Sequence, residues 1–417
     1  MDRPRSLRWF TFSALSLVFF VISAGAFSSL GVVLPSMVRE MHWNWTEAGL
    51  GYTLLGVACG LASLAPAALI RWIGVRGAMS AGALCMVAGF GAMALTHSVW
   101  MYLAATVMIG LAFALVSTVP GTHLLTDLFE NRSTVLGAYF TIGALGQVAG
   151  PLLFVAIHEV TDGWRPYWVA FVLMSLAAGA FAIATTPGRR NESSHVAAAP
   201  EQAGPLEMIE GLSDWTVRRA LSTSQFYVIV AGYTTYLLIN TTAHGFAVEH
   251  LTERGVDPKA AAAMLSIEAL IGAGVSVLGG MAGEKVSAKT LMIVSLVSLT
   301  VGMAALAEAT GWPLMWVYAV GVGVGFGLSL LAATMLLYQY FGKRPNLELF
   351  SIMCLISTTA ALGPAFGGWA RDTLGSFTGM FWLCVAITAA MLLATLFMHR
   401  PVWRPAAVAS PVGEGAQ

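Results

Sequence analysis

The chain has 417 residues, of which 57% are hydrophobic and only 10% charged. Soluble domains carry about a quarter charged residues, so this composition excludes one and implies a polytopic helical membrane protein. The 21 Lys and Arg balance 21 Asp and Glu; a net charge of zero names no partner, and nucleic acid is not expected to be one.

Apolar runs of about 20 residues between polar breaks mark membrane-spanning helices. Twelve are present, near residues 9–36, 46–70, 77–96, 100–126, 133–158, 165–186, 223–248, 259–283, 289–308, 312–340, 344–370 and 377–398. They are continuous and do not alternate, which argues against a β-barrel. The first is too long for a signal-peptide core and lacks a small-residue cleavage site, so it is expected to be retained. With the N-terminus inside, only Arg39, Arg165, Arg254, Lys259 and Arg371 of the 21 basic residues face outward. This bias predicts cytoplasmic N- and C-termini, and the short loops suggest a bacterial inner membrane. Cys59, Cys85, Cys354 and Cys384 lie in separate spans and read as small core residues, neither disulfides nor metal ligands.

Span one carries Ser28 and Ser29, and span four Ser117, Thr118 and His123, hydroxyls and an imidazole on helices expected to line a cavity. Gln147 in span five, one turn before Pro151, reads as a substrate contact or as a tie between helices. His158-Glu159 lacks the second histidine of a helical zinc motif. Pro187 to Ser222 is polar and interrupts the rhythm after six spans, with Glu207 to Arg219 a candidate surface helix. Span seven places Tyr233, Tyr236, Asn240 and His244 on one face by their spacing of three, four and four. Tyr236 and Asn240 are the leading substrate contacts. His244 is expected near the outer end, as a wetted side chain or a second protonatable site.

In span eight stands Glu268, the only acidic residue at membrane depth. An intramembrane charge costs several kcal/mol and usually marks a functional path. Burial favours the neutral form of a carboxyl, so Glu268 can take up and release a proton as the protein changes facing; the plainer reading is a permanently protonated Glu bonded to a neighbouring helix. Pro151 and Pro364 are expected to bend spans five and eleven. Gly56…Gly60, Gly146…Gly150, Gly279…Gly283, Gly321…Gly325 and Gly323…Gly327 are spaced for close helix packing.

The halves repeat. Phe129-Glu130-Asn131-Arg132 recurs as Phe341-Gly342-Lys343-Arg344, Gly150-Pro151 as Gly363-Pro364, and Asp162-Gly163-Trp164 is answered by Leu374-Gly375-Ser376. The fold expected is therefore all-α: twelve transmembrane helices as two six-helix bundles related by a parallel repeat. Residues 1–186 form the first bundle, 187–222 a cytoplasmic linker, 223–400 the second bundle and 401–417 a flexible tail.

On these features the chain resembles the major facilitator superfamily. That family's loop between spans two and three has the form Gly-x-Leu-x-Asp-x-x-Gly-x-Arg. Here Ala67-Ala68-Leu69-Ile70-Arg71-Trp72-Ile73-Gly74-Val75-Arg76 keeps Gly74 and Arg76 but has Arg71 in the acid's place. The second-half counterpart, Gly280-Met281-Ala282-Gly283-Glu284-Lys285, keeps the acid. The resemblance implies that Arg71, Arg76 and Glu284 belong to a cytoplasmic gate. A narrower resemblance is to bacterial relatives of monocarboxylate transporters, through Ala26-Phe27-Ser28, Leu34-Pro35-Ser36-Met37, Trp43-Asn44-Trp45-Thr46-Glu47, Gly163-Trp164-Arg165 and Tyr340-Phe341-Gly342. The basic and acidic residues that hold carboxylate and proton in animal members align with Ser28, Gly272 and Ser276 here, so the usual anion handle is missing.

The expectation is a secondary transporter, not an enzyme, taking up a small organic solute, carboxylate-type by resemblance, with protons. It has no phosphate-cradling loop or nucleophile elbow, and neither cofactor nor metal is expected. Its partners are the solute, protons and membrane lipid, and it is expected to work as a monomer. Proton-driven efflux of a lipophilic compound and a non-transporting sensor are the alternatives.

Overall fold

The computed structural model describes residues 5–63, 65–129, 132–186, 215–282, 286–342 and 345–401. Its helices group into twelve spans in two bundles of six. Span one is Arg5–Ser23, a π-helical turn Ala24–Ser28, and Ser29–Met41. Span four is Val99–Val116 with Thr118–Leu128, and span eleven is Asn346–Ser357, a 3-10 turn Thr358–Leu362, and Gly363–Leu374. Spans five to ten and twelve are Arg132–Thr161, Arg165–Thr185, Ser224–Glu253, Pro258–Ala282, Ala288–Glu308, Trp312–Phe341 and Thr378–Phe397. Helices satisfy every backbone group internally, the condition for crossing hydrocarbon.

Spans two and three depart from the expected boundaries. Helix Trp45–Ala62 stops at Ser63, and Ala65–Ala94 contains Gly74 at φ 77°, ψ 169°. A single glycine in the left-handed region thus turns the chain where a six-residue loop was expected. Pro151 lies inside the unbroken helix Arg132–Thr161, whereas Pro364 opens a new helix after the 3-10 turn. Pro364 thus stands at a break in span eleven, at the start of a helix where its missing amide costs least.

Of the candidate surface helix, Glu207 to Asp214 lies outside the described residues; among the described linker residues, Val217–Ala220 is helical. Trp215 is buried edge-on against Phe341 of span ten, ring centroids 5.4 Å apart. The tail from residue 402 is likewise outside the described residues.

The end holding residues 40–46 is termed outer, after the expected orientation. The halves meet there through spans one and seven, two and eleven, and five and eight. A Cβ on Gly31 would fall on the carbonyl oxygen of His244, one on Gly49 on that of Pro364, and one on Gly368 on that of Trp45. Ion pairs Arg39–Glu249 (3.4 Å) and Lys259–Glu159 (2.5 Å) add to the seam. Asp372 accepts from Trp45 N (3.0 Å), Thr46 N (2.8 Å) and Thr46 Oγ1 (2.6 Å). The outer face is closed.

Candidate functional site

Glu268 sits in the middle of span eight and is 1% exposed. The hydroxyl of Tyr318, on span ten, donates to its Oε2 at 2.6 Å. Its Oε1 faces Nε2 of His244, on span seven, at 4.0 Å. Neither of these two facing atoms has a hydrogen-bond partner. An unsatisfied buried polar atom costs about 1–3 kcal/mol, so the gap between them is the chemical centre of the site.

The tautomer of His244 follows from its other nitrogen. Nδ1 lies 2.8 Å from the backbone oxygen of Asn240, which only accepts, so Nδ1 carries a proton. In the neutral ring Nε2 is then a bare lone pair. An ionised Glu268 would turn a second lone pair toward it. One proton between the two removes the conflict, either as a neutral acid facing imidazole or as carboxylate facing imidazolium. A single proton placed between them would satisfy both facing atoms.

The sequence placed His244 near the outer end of a span expected to close at about residue 248. The helix instead runs on to Glu253. That leaves His244 nine residues, about 14 Å, from the helix end. Glu268 is ten residues, about 15 Å, from the start of its helix. Both therefore lie at one depth, and His244, 3% exposed, is not wetted.

Tyr233 and Tyr236 are buried on span seven with ring centroids 5.9 Å apart, and Tyr236 lies 6.0 Å from Phe326 of span ten. Phe326 fills the space beside Gly272, and Ser276 donates to the backbone oxygens of Gly272 (2.9 Å) and Gly327 (3.1 Å). Spans one and seven both run outward, and the Gly31–His244 contact sets their register. One turn inward, the π-turn of span one comes beside Asn240. Ser28 Oγ and Asn240 Nδ2 are both buried there without partners. Ser29 instead donates its hydroxyl to Ala24 O, at the start of the π-turn.

Other candidates stand apart. Among the described residues no hydrogen bond joins the half-buried Gln147 to this cluster. His123 is half-buried on span four, where its carbonyl accepts from Thr126 at 3.0 Å. Arg71 and Arg76 are exposed and form no ion pair among the described residues, and Glu284 lies outside them. Tyr318 and Asp372 were missed. Tyrosines in apolar helices look like core or interface anchors, and Asp372 acts on a helix start far away in sequence. No cluster of metal-ligating residues occurs among the described residues.

The model of the family described as Major Facilitator Superfamily matches the chain twice, over residues 15–251 and 233–414. No curated protein matches the sequence. Among solved structures, a point mutant of the nucleoside transporter NupG is similar with a TM-score of 0.75 at 13% identity, covering 94% of this chain and 99% of that one. A bacterial homolog of the human lysosomal transporter Spinster, inward-facing and unoccupied, is similar with a TM-score of 0.73 at 16% identity, covering 97% and 100%. At these identities the likeness is one of fold alone.

Proposed function

This chain belongs to the major facilitator superfamily, and on that premise we propose that it is a proton-coupled transporter taking up a small organic solute by alternating access. The observation that carries the proposal is the sealed Glu268–His244 pair, with Tyr318 holding the far carboxyl oxygen. Removing its proton leaves two buried acceptors facing each other, so the empty pair is unstable while shut from water. The pair therefore favours changing facing with the proton aboard, which is what coupling requires.

The solute site of this reading is the adjoining region of Ser28, Ser29, Tyr233, Tyr236 and Asn240, with Gln147 outside it. Asn240 Nδ2 offers a free donor and Ser28 Oγ a free hydroxyl. A small carboxylate is the leading class by resemblance, held here by amide and hydroxyl donors in place of a basic side chain. Gating by Arg71, Arg76 and Glu284, function as a monomer, and a bacterial inner membrane with both termini cytoplasmic complete the reading.

The test uses proteoliposomes with an imposed proton gradient and a panel of small organic acids and uncharged solutes. Glu268→Gln is expected to abolish gradient-driven accumulation while sparing solute exchange. Undiminished accumulation by that variant overturns the role of Glu268.

A further inference from the structure

Span eleven is broken in the middle of the membrane. Its 3-10 turn ends on Leu362, and the helix Gly363–Leu374 starts there. That start lies eleven residues, about 16 Å, from the outer end of the helix, close to the depth of His244 and Glu268. A helix start leaves backbone amides without intrahelical partners and carries a partial positive charge. Here Pro364 has no amide proton to offer, and Gly363 N donates to Ala360 O. Ala365 N donates to Thr53 Oγ1 of span two at 3.0 Å. The partner of this amide is therefore a buried side chain of the other half.

A second, independent observation falls at the same place. Thr242 of span seven is fully buried, and its hydroxyl has no partner. A Cβ on Gly363 would stand 2.6 Å from that hydroxyl oxygen, so the side chain is aimed at the first residue of the helix. Its neighbour Thr241 returns its own hydroxyl to Leu237 O, one turn back, at 2.9 Å; Thr242 keeps its donor free. An unpaired buried hydroxyl is costly, and among the described residues no Lys or Arg stands at this depth. A free donor beside the positive end of a helix, with glycine leaving the approach open, suits an anion.

We propose that the break in span eleven is a carboxylate site, the anion handle that no basic side chain supplies. When the outer seam opens, Thr53 leaves with its half, and the carboxylate of a small solute takes Ala365 N and the Thr242 hydroxyl. Thr53 and the solute compete for one amide, so a bound carboxylate favours the open outer face. Closure returns the amide to Thr53 and loosens the carboxylate, which is what delivery to the other side needs. No covalent bond changes. The inference rests on the proposed uptake of a small carboxylate and names the groups that hold it.

The probes are acetate, lactate and benzoate, with acetamide, lactamide and benzamide as their uncharged counterparts. Val248→Cys, buried on the outer part of span seven, is introduced where the native cysteines are replaced by alanine. Its labelling by N-ethylmaleimide at neutral pH reports opening of the outer face. At least one acid is expected to speed labelling saturably, and the matching amide is not. Thr242→Val is expected to raise the half-maximal acid concentration about tenfold, the scale of one hydrogen bond to a charged group. Its melting temperature stays at or above the parental value, because the lost hydroxyl gave up no bond. Thr242→Ser, which keeps the hydroxyl, stays near the parental concentration. Thr53→Val deprives Ala365 N of its partner in the closed state and is expected to lower that concentration.

No response to any of these acids, or an equal response to acid and amide, overturns the inference. So does a parental half-maximal concentration in Thr242→Val, or an equal loss in Thr242→Ser, which would show that shape and not the hydroxyl matters. Should Thr242→Val not assemble, Thr242→Ala takes its place with the same expectation. Failure of the uptake reading looks different. Acid-dependent labelling without proton-driven accumulation in proteoliposomes overturns coupled uptake and leaves the site standing. Proton-driven accumulation of one of these acids with parental half-saturation in Thr242→Val overturns the site and leaves the uptake standing.

Discussion

Asp372 closes the outer face as a helix cap supplied from the other half. Its carboxylate takes the first two amides of span two, Trp45 N and Thr46 N, and the Thr46 hydroxyl, at 3.0, 2.8 and 2.6 Å. The next amide, Glu47 N, is capped locally by Asn44 at 2.7 Å, with Glu47 returning the bond to Asn44 N. Removing Asp372 therefore leaves span two folded and weakens only the joint. Losing an acidic cap costs about 0.5–2 kcal/mol, and losing a negative charge at a helix N-terminus about 0.3–1 kcal/mol. Because Asp372 is solvent-exposed, about 2 kcal/mol in total is a fair working value. That shifts the closed-to-open ratio by about thirtyfold. Maleimide labelling of Val248→Cys, in a background without native cysteines, reads this shift directly. Asp372→Ala is expected to speed labelling by about that factor, and Asp372→Asn, which keeps one acceptor but loses the charge, by less. Unchanged labelling of a folded Asp372→Ala protein refutes the assignment.

Two further outcomes follow from the same seam. Gly31→Ala puts a methyl group on the His244 carbonyl oxygen; overpacking of this kind costs about 1–3 kcal/mol. A lower melting temperature of the purified protein and faster Val248→Cys labelling are both expected, and parental behaviour in both would show that the helices part freely. Lys259→Ala breaks the Lys259–Glu159 pair at 2.5 Å, whose side chains are 62% and 50% exposed. Exposed pairs contribute little, so melting and labelling are expected to stay at parental values; a large change in either refutes this ranking of the outer contacts.

Much of the architecture was legible because the thickness of hydrocarbon fixes helix length. Ten of the described helical segments are long and apolar enough to cross a membrane. The other two are spans two and seven, and span seven carries the His244 that faces Glu268. Glu268 itself was legible for a simple reason: no other acid lies at its depth. Its partners were not. Tyr318 donates from 50 residues away, and nothing in an apolar run distinguishes a tyrosine that bonds a carboxylate from one that anchors at an interface. His244 was recognised as protonatable but misplaced in depth, because three ionisable residues beyond it continue the helix inside protein contacts. Gly74 was recognised as a motif residue, yet its φ of 77° is a backbone property that only coordinates reveal.

Residue 244 joins the two devices on which transport would depend. Its ring completes the proton pair, while its own carbonyl oxygen is the atom against which Gly31 of the other half packs. The contact is backbone to backbone, with no side chain to absorb movement. A rotation of span seven that carries the His244 ring away from Glu268 also swings that carbonyl out of the notch at Gly31. Close-packed seams tend to be made or broken rather than stretched. On the proposed reading, the loaded pair and the closed outer face favour each other, and the coupling is reciprocal: whatever opens the outer seam would also loosen the hold on the proton.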